Sequence, residues 1–276
     1  MREISADKIK KIVSELCLQA NFVLRPDVLC MLKQSFRKET DKTARRILGA
    51  IIENSSIAKA NKLAICQDTG LPGVFVELGQ DVRVKGDLKK AINQGVVLGY
   101  RKGYLRNSVV SDPLFRGKPQ FGPAIIHMDI VTGNKIKLTV LPKGFGCENK
   151  TQLKMFKPTQ GIDIIKDFVV SAVKSAGADA CPPYVVGVGI GGSADYSVLM
   201  AKKALLRKLQ ASKSKFRILE LELFNRINKL NIGPMGLGGK ATCLAVNIEA
   251  YPTHIAGLPV AVNISCHALR SATKVI

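Results

Sequence analysis

Three cysteines stand where a thiol could do chemistry. Cys66 opens CQDTG (residues 66–70), Cys181 opens CPPY (181–184), and Cys266 closes the alternating run LPVAVNISC (258–266). In CQDTG the thiol is followed at once by a carboxamide, Gln67, and a carboxylate, Asp68. The chain then breaks at Gly-Leu-Pro-Gly, a corner that suits a site better than a core. Three thiolates gathered on one iron–sulfur cluster are one short of the usual four. The missing ligand leaves one iron open, and an open iron can act as a Lewis acid on a substrate oxygen. The three positions are far apart along the chain, so only the fold could unite them. Unligated structural cysteines are the competing reading, and spacing alone leaves both open.

The sequence has seven cysteines, an odd number, widely scattered and without a CxxC pair. That argues against a disulfide scaffold, a zinc ribbon or a thioredoxin-type site. Cys17 and Cys30 fall within helical apolar patterns and Cys243 within KATCLAV, where a small buried thiol is expected. Two glycine clusters carry less than they suggest. GVGIGG (187–192) has the GxGxxG form between an expected strand and helix, but no acidic residue follows at the end of a second strand about 20 residues on. What remains is a small anion site on the amides that open the helix at Ser193. GPMGLGGKAT (233–242) is not a phosphate-binding loop, because Pro234 and Ala241 occupy positions that need Gly and Ser or Thr.

The chain of 276 residues carries 42 Lys and Arg against 21 Asp and Glu, a formal charge of +21. A nucleic-acid surface interleaves its basic residues with aromatics. Here aromatics are 5% and Trp is absent, so nucleic acid is not the expected partner, and a solvated lysine-rich face or an acidic subunit is. No stretch approaches the roughly 18 apolar residues of a membrane helix. The expectation is a cytoplasmic protein with no membrane partner.

Around these residues, helical periodicity covers 5–20 and 27–37 and continues through Ile47, Leu48, Ile51, Ile52 and Ile57 after a start at Thr40 or Asp41. GVFVEL and DVRVKG read as strands, and GDLKKAINQGVVLGYRKGYL as a helix. PAIIHMDIV and NKIKLTVLP, joined by Thr-Gly, predict a hairpin. Helices follow over 161–175, 193–210 and 217–230, with strands at YVVGVGI, LAVNIEAYP and LPVAVNISC. The expected class is α+β: a helical N-terminal region, then a mixed, largely antiparallel sheet flanked by helices. It is read as one domain over 1–276, helix-rich over 1–65 and mixed over 66–276.

Seven stretches occur in one order along the chain: CQDTG (66–70), LRNS (105–108), KGFGCEN (143–149), CPPY with GVGIGG (181–192), NIGPMGLGGKAT (231–242), YPTH (251–254) and ISCHALR (264–270). Together they resemble the α subunit of the class I, iron–sulfur fumarate hydratases and the related L-tartrate dehydratases. The resemblance implies a hydro-lyase that hydrates fumarate reversibly to L-malate, with L-tartrate dehydration as the alternative. It implies a [4Fe-4S] cluster on Cys66, Cys181 and Cys266. Gln67 and Asp68 match a substrate-contacting pair, and Asp68 with His254 would protonate the leaving hydroxyl. Arg106 would pair with a substrate carboxylate, and Gly144 and Gly146 would offer backbone contacts. His127 and His267 take structural or supporting roles.

The chain departs from the family where a run of glycines and then Ser is replaced by GFGCEN, which makes Phe145 and Cys147 unusual. Cys147 is either a thiol beside the cluster or a packed free cysteine. The resemblance places the carbon base in a second domain or β subunit, and this sequence ends soon after Cys266. It therefore implies a β partner in a hetero-oligomer, with an acidic surface to meet the +21 charge. The reading from a different class is a basic nucleic-acid-binding or scaffold protein with inert cysteines.

Overall fold

A computed structural model describes residues 1–209 and 214–276. Its elements run β1 (Arg2–Ser5), α1 (Ala6–Phe22), α2 (Pro26–Lys38), α3 (Lys42–Asn61), β2 (Leu71–Gly79), β3 (Val82–Lys85), α4 (Leu88–Lys102), β4 (Ile125–Val131) and β5 (Ile136–Lys143). Then come α5 (Phe145–Glu148), β6 (Gln152–Phe156), α6 (Gly161–Ala176), β7 (Tyr184–Gly191), α7 (Ala194–Ala204), α8 (Arg217–Asn228), β8 (Cys243–Tyr251), β9 (Leu258–Ser265) and β10 (Ala272–Val275). The class is α+β, as expected. Helix starts follow local chemistry: Ser5 Oγ accepts from Lys8 N–H at 3.3 Å, Asp41 Oδ1 from Ala44 N–H at 2.8 Å, and Asp87 Oδ1 from Lys90 N–H at 2.8 Å. Of the helix expected over 193–210, the described part ends at Ala204, and residue 210 lies outside the described residues.

The chain forms two compact units that it enters alternately. One comprises Met1–Arg25, Asn54–Phe145 and Arg270–Ile276, and the other Pro26–Glu53 and Gly146–Leu269. The first unit holds a mixed sheet ordered β10-β5-β2-β4 and the parallel pair β1-β3. Its core includes Ile9, Val13 and Leu16 of α1, Ile92 and Val96 of α4, and Val74, Ile136, Leu138 and Val140 of the sheet. Burying each such side chain stabilises by roughly 1.5–3 kcal/mol.

The hairpin expected of β4 and β5 does not form. β2 lies between them, parallel to β4 and antiparallel to β5. The consecutive buried residues Val74, Phe75 and Val76 need the interior of a sheet, and β4 takes its exposed edge. The Thr-Gly connection bonds the end of β2 instead of closing on itself: Gly79 N–H donates to Lys135 O at 2.9 Å, Gln80 N–H to Val131 O at 2.8 Å, and Asp81 N–H to Gly133 O at 3.1 Å. His127 stacks on Phe75 across this pairing, ring centroids 4.8 Å apart, a structural role.

The second unit is built on a sheet ordered β6-β9-β7-β8, with β7 parallel to β8 and antiparallel to β9. The glycines of GVGIGG are explained here by packing. A Cβ on Gly187 would lie 2.1 Å from Ala201 O, and one on Gly189 would lie 2.0 Å from Ser197 O. They let α7 lie directly on β7 and leave no phosphate cradle. The anion site expected at Ser193 is also absent, since Asp195 of the same turn accepts from Ser193 Oγ at 2.5 Å. That hydrogen bond, then the Tyr196 amide, hold the Asp195 carboxyl below its usual range.

Candidate active site

The CQDTG corner of the first unit is tied down on every side. Ile65 N–H donates to Asn21 O at 3.0 Å. Asn54 Nδ2 donates to Ile65 O at 2.9 Å. Tyr100 Oη donates to Thr69 O at 2.9 Å and to Gly70 O at 3.2 Å. Gly70 has φ +77°, and a Cβ there would meet Lys143 N and Pro142 C at 2.7 Å, so only glycine brings the corner this close to β5.

Both oxygens of Asp68 are engaged. Oδ1 accepts from Gly70 N–H at 3.0 Å and Oδ2 from Phe145 N–H at 2.9 Å. A Cβ on Gly144 would stand 3.1 Å from Oδ2, so Gly144 keeps that side of the carboxylate open. Gln67 is exposed beside it, and Cys66 is partly exposed. Arg106 joins the corner through its backbone, its N–H donating to Thr69 Oγ1 at 3.0 Å, while its side chain is exposed. The first unit thus brings Cys66, Gln67, Asp68, Arg106 and Gly144 together.

In the second unit the β7–β9 register, Val185 opposite Ser265, brings Cys181 and Cys266 to one end of the sheet. His267, next to Cys266, spans the gap: its Nδ1 lies 3.0 Å from Cys181 O and its N–H donates to the same oxygen at 3.4 Å. These bonds hold Cys181 at φ +57°, a left-handed conformation that costs a non-glycine residue about 1–2 kcal/mol. His254 is not with them. It follows Tyr251, which pairs with Gly191 at the other end of β7. Strand rise puts roughly 23 Å of β7 between the two ends. There His254 is exposed, and its Nδ1 accepts from Ala256 N–H at 3.2 Å. Gly146 is exposed, and a Cβ on it would lie 3.7 Å from Asp179 O.

Cysteine burial separates two kinds of thiol. Cys17, Cys147 and Cys243 are buried, while Cys66, Cys181 and Cys266 are partly exposed. Burial pushes the Cys17 and Cys243 thiols up to about 12, so neither offers a thiolate near neutral pH. Cys147 is packed in the interior, its Sγ donating to Ala180 O at 3.3 Å. Cys30, expected buried, is exposed on α2. Among the described residues no three His, Cys, Asp or Glu stand as a single-ion site. An iron–sulfur cluster asks something different, one thiolate per iron, and the partly exposed Cys66, Cys181 and Cys266 are of the donor chemistry it needs. Sequence reasoning passed over Arg270, the last residue of ISCHALR, which is 4% exposed and donates through Nη2 to Asp68 O. It passed over Tyr100 as well.

The first unit sets Cys66 next to a carboxylate held through both oxygens, and the second sets Cys181 and Cys266 at one end of its sheet. The chain belongs to the fumarate hydratase (Fumerase) family, whose sequence model it matches over residues 10–275, and it is a hydro-lyase. It is 42% identical to a Methanocaldococcus jannaschii protein named "Putative L(+)-tartrate dehydratase subunit alpha", over 97% of each chain. It is 30% identical to the L(+)-tartrate dehydratase subunit alpha of Escherichia coli strain K12, over 100% of this chain and 93% of that one. The Shigella sonnei protein of the same name matches to the same extent. Among the described residues no helix is long and apolar enough to cross a membrane.

Proposed function

We propose that the chain is the α subunit of an iron–sulfur hydro-lyase that hydrates fumarate reversibly to L-malate. The observation that carries the reading is the held carboxylate of Asp68 beside the accessible thiol of Cys66. In this reading Cys66, Cys181 and Cys266 hold a [4Fe-4S] cluster, and the two units serve one catalytic domain. Such a cluster supplies Lewis acidity at the iron that lacks a protein ligand.

The chain's own residues do the rest. Asp68, fixed through both oxygens, gives a proton to the departing hydroxyl of malate and takes one from water in the hydration direction. Gln67 orients that hydroxyl with its amide. The Arg106 guanidinium pairs with a substrate carboxylate, for which its fork geometry is suited. Backbone at Gly144 and Gly146 lines the substrate. His254 assists Asp68 in this scheme, and the roughly 23 Å of β7 between it and the Cys181 end favour its delivery by a second copy of the chain.

The base that takes the carbon-bound proton comes from a β subunit. The name "subunit alpha" carried by the relatives supports such a partner. The charge of +21 would favour an acidic partner surface, which a partner as basic as this chain would exclude. Seven scattered cysteines, an odd number without a CxxC pair, suit the reducing cytoplasm. A second reading, dehydration of L-tartrate, is favoured by those same relatives' names and differs by one substrate hydroxyl.

The test is anaerobic co-expression with a neighbouring β-subunit reading frame, followed by iron and sulfide analysis and side-by-side assays on fumarate and L-tartrate. Fumarate turnover with a bound cluster is expected. Turnover of tartrate alone selects the second reading. A colourless, sulfide-free preparation that shifts nucleic acid at moderate salt would replace both with a binding protein.

A further inference from the structure

Three successive carbonyls of the CQDTG corner are held from behind, and by different chemistry. The neutral phenol of Tyr100 takes Thr69 O and Gly70 O, while Asp68 O is taken by the guanidinium of Arg270. Arg270 is 4% exposed. Among the described residues its Nη1 has no hydrogen-bond partner, and no carboxylate forms an ion pair with it. Arginine stays charged under all ordinary conditions. A buried cation with an unmet N–H costs stability, and an apolar side chain of similar length would fill the space without that cost. Tyr100 shows that a neutral donor can hold a carbonyl of this corner. The hydrogen bond alone therefore does not account for an arginine.

We propose that Arg270 is a positioning residue that fixes the corner at residues 66–68 through Asp68 O and supplies the buried positive charge that makes this corner receptive to a dicarboxylate anion. The second half rests on the corner's being the dicarboxylate site proposed above, and the first half does not. The charge acts through the backbone it holds. It biases the corner toward negatively charged occupants and disfavours neutral analogues of the same shape.

Three variants separate the two roles: Arg270→Lys keeps the charge, Arg270→Gln keeps a donor without charge, and Arg270→Met keeps neither. Each is made in the full chain with its partner subunit. Hydrogen exchange is followed at the Gly70 and Phe145 amides, which bond the Asp68 carboxylate, with β7 and β9 as internal controls. In Arg270→Met, exchange at the two amides should rise about tenfold or more while the controls stay unchanged. Succinate, which has no hydroxyl to lose, is the binding probe. Its affinity should fall about tenfold or more in both the Gln and Met variants and return to within about threefold in Arg270→Lys.

Unchanged exchange in Arg270→Met overturns the holding role, as does a matched rise in the controls. Wild-type succinate affinity in Arg270→Gln, or no succinate binding by the wild type, overturns the charge role. Should Arg270→Met fail to fold, Arg270→Leu, which also lacks a donor, decides the holding role by exchange at the same two amides, and succinate affinity in the Lys and Gln variants decides the charge role. A wild-type protein without iron or sulfide would sink the proposed function, while the exchange result would still decide what Arg270 holds.

Discussion

The Phe145 amide donates to Asp68 Oδ2 across 2.9 Å, joining a residue of the GFGCEN loop to the carboxylate of CQDTG. Gly70 N–H occupies the other oxygen at 3.0 Å. Asp68→Asn should therefore fail in two ways. An amide can accept on one side only, so one backbone N–H loses its partner at about 1–3 kcal/mol. In the proposed mechanism the proton donor is lost as well, worth roughly 10²–10⁴ in turnover. The expected result is kcat down by about two to four orders of magnitude with iron and sulfide retained. Full turnover in Asp68→Asn would remove Asp68 from catalysis.

Much of this was legible locally, and the failures share one cause. The CQDTG corner stood out because a thiol, an amide, a carboxylate and a glycine turn in five residues have no ordinary core use. Asp41 marked a helix start because capping acts over three residues. The β4–β5 hairpin was misread because Thr132 and Gly133 make a plausible turn whether or not a third strand intervenes. That β2 does intervene depends on pairings far along the chain. The alternation between two units is long-range in the same way. Arg270 ends a motif and looks like a surface residue until burial is known.

The GVGIGG stretch gives a stability prediction. Gly189→Ala would set a methyl group 2.0 Å from Ser197 O, a backbone atom of a packed helix. The helix must shift off β7, costing several kcal/mol, on the scale of overpacked cores or more. Gly257→Ala meets nothing within 4 Å and should change stability by less than about 0.5 kcal/mol. Thermal melts of the two variants give the comparison. Equal melting temperatures would show that α7 does not depend on the close approach.

Thiol accessibility predicts which cysteines react. Burial pushes Cys17 and Cys243 up to about 12, so at pH 8 only about one molecule in 10⁴ carries either thiolate. Their reaction should grow only as pH approaches the raised value, since the charged form is the one burial disfavours. Iodoacetamide at pH 8 should label Cys30, Cys66, Cys181 and Cys266 in the cluster-free chain and spare Cys17, Cys147 and Cys243. Cluster-loaded protein should keep only Cys30 reactive. Mass spectrometry of the peptides decides it, and label on Cys66 undiminished by iron and sulfide would remove it from the ligand set.

His254 gives the most distinctive test. It sits beyond the Gly191 end of β7, whereas Cys181 and Cys266 sit at the Tyr184 end, roughly 23 Å away by strand rise. A rigid sheet does not shorten, so a histidine that serves these cysteines must come from another copy. His254→Asn and Cys181→Ser should each be nearly inactive when purified alone. Two differently tagged chains, one with each substitution, are co-expressed with the partner subunit, and the doubly tagged assembly is isolated. That assembly pairs an intact cysteine set from one copy with an intact histidine from the other, so activity should return to up to about half of wild type, the share expected when one of two symmetric sites is whole. If His254 acts within its own chain, every site in the mixture lacks one partner and no activity returns. Full activity in His254→Asn alone would instead take the histidine out of the reaction and leave Asp68 as its sole proton donor.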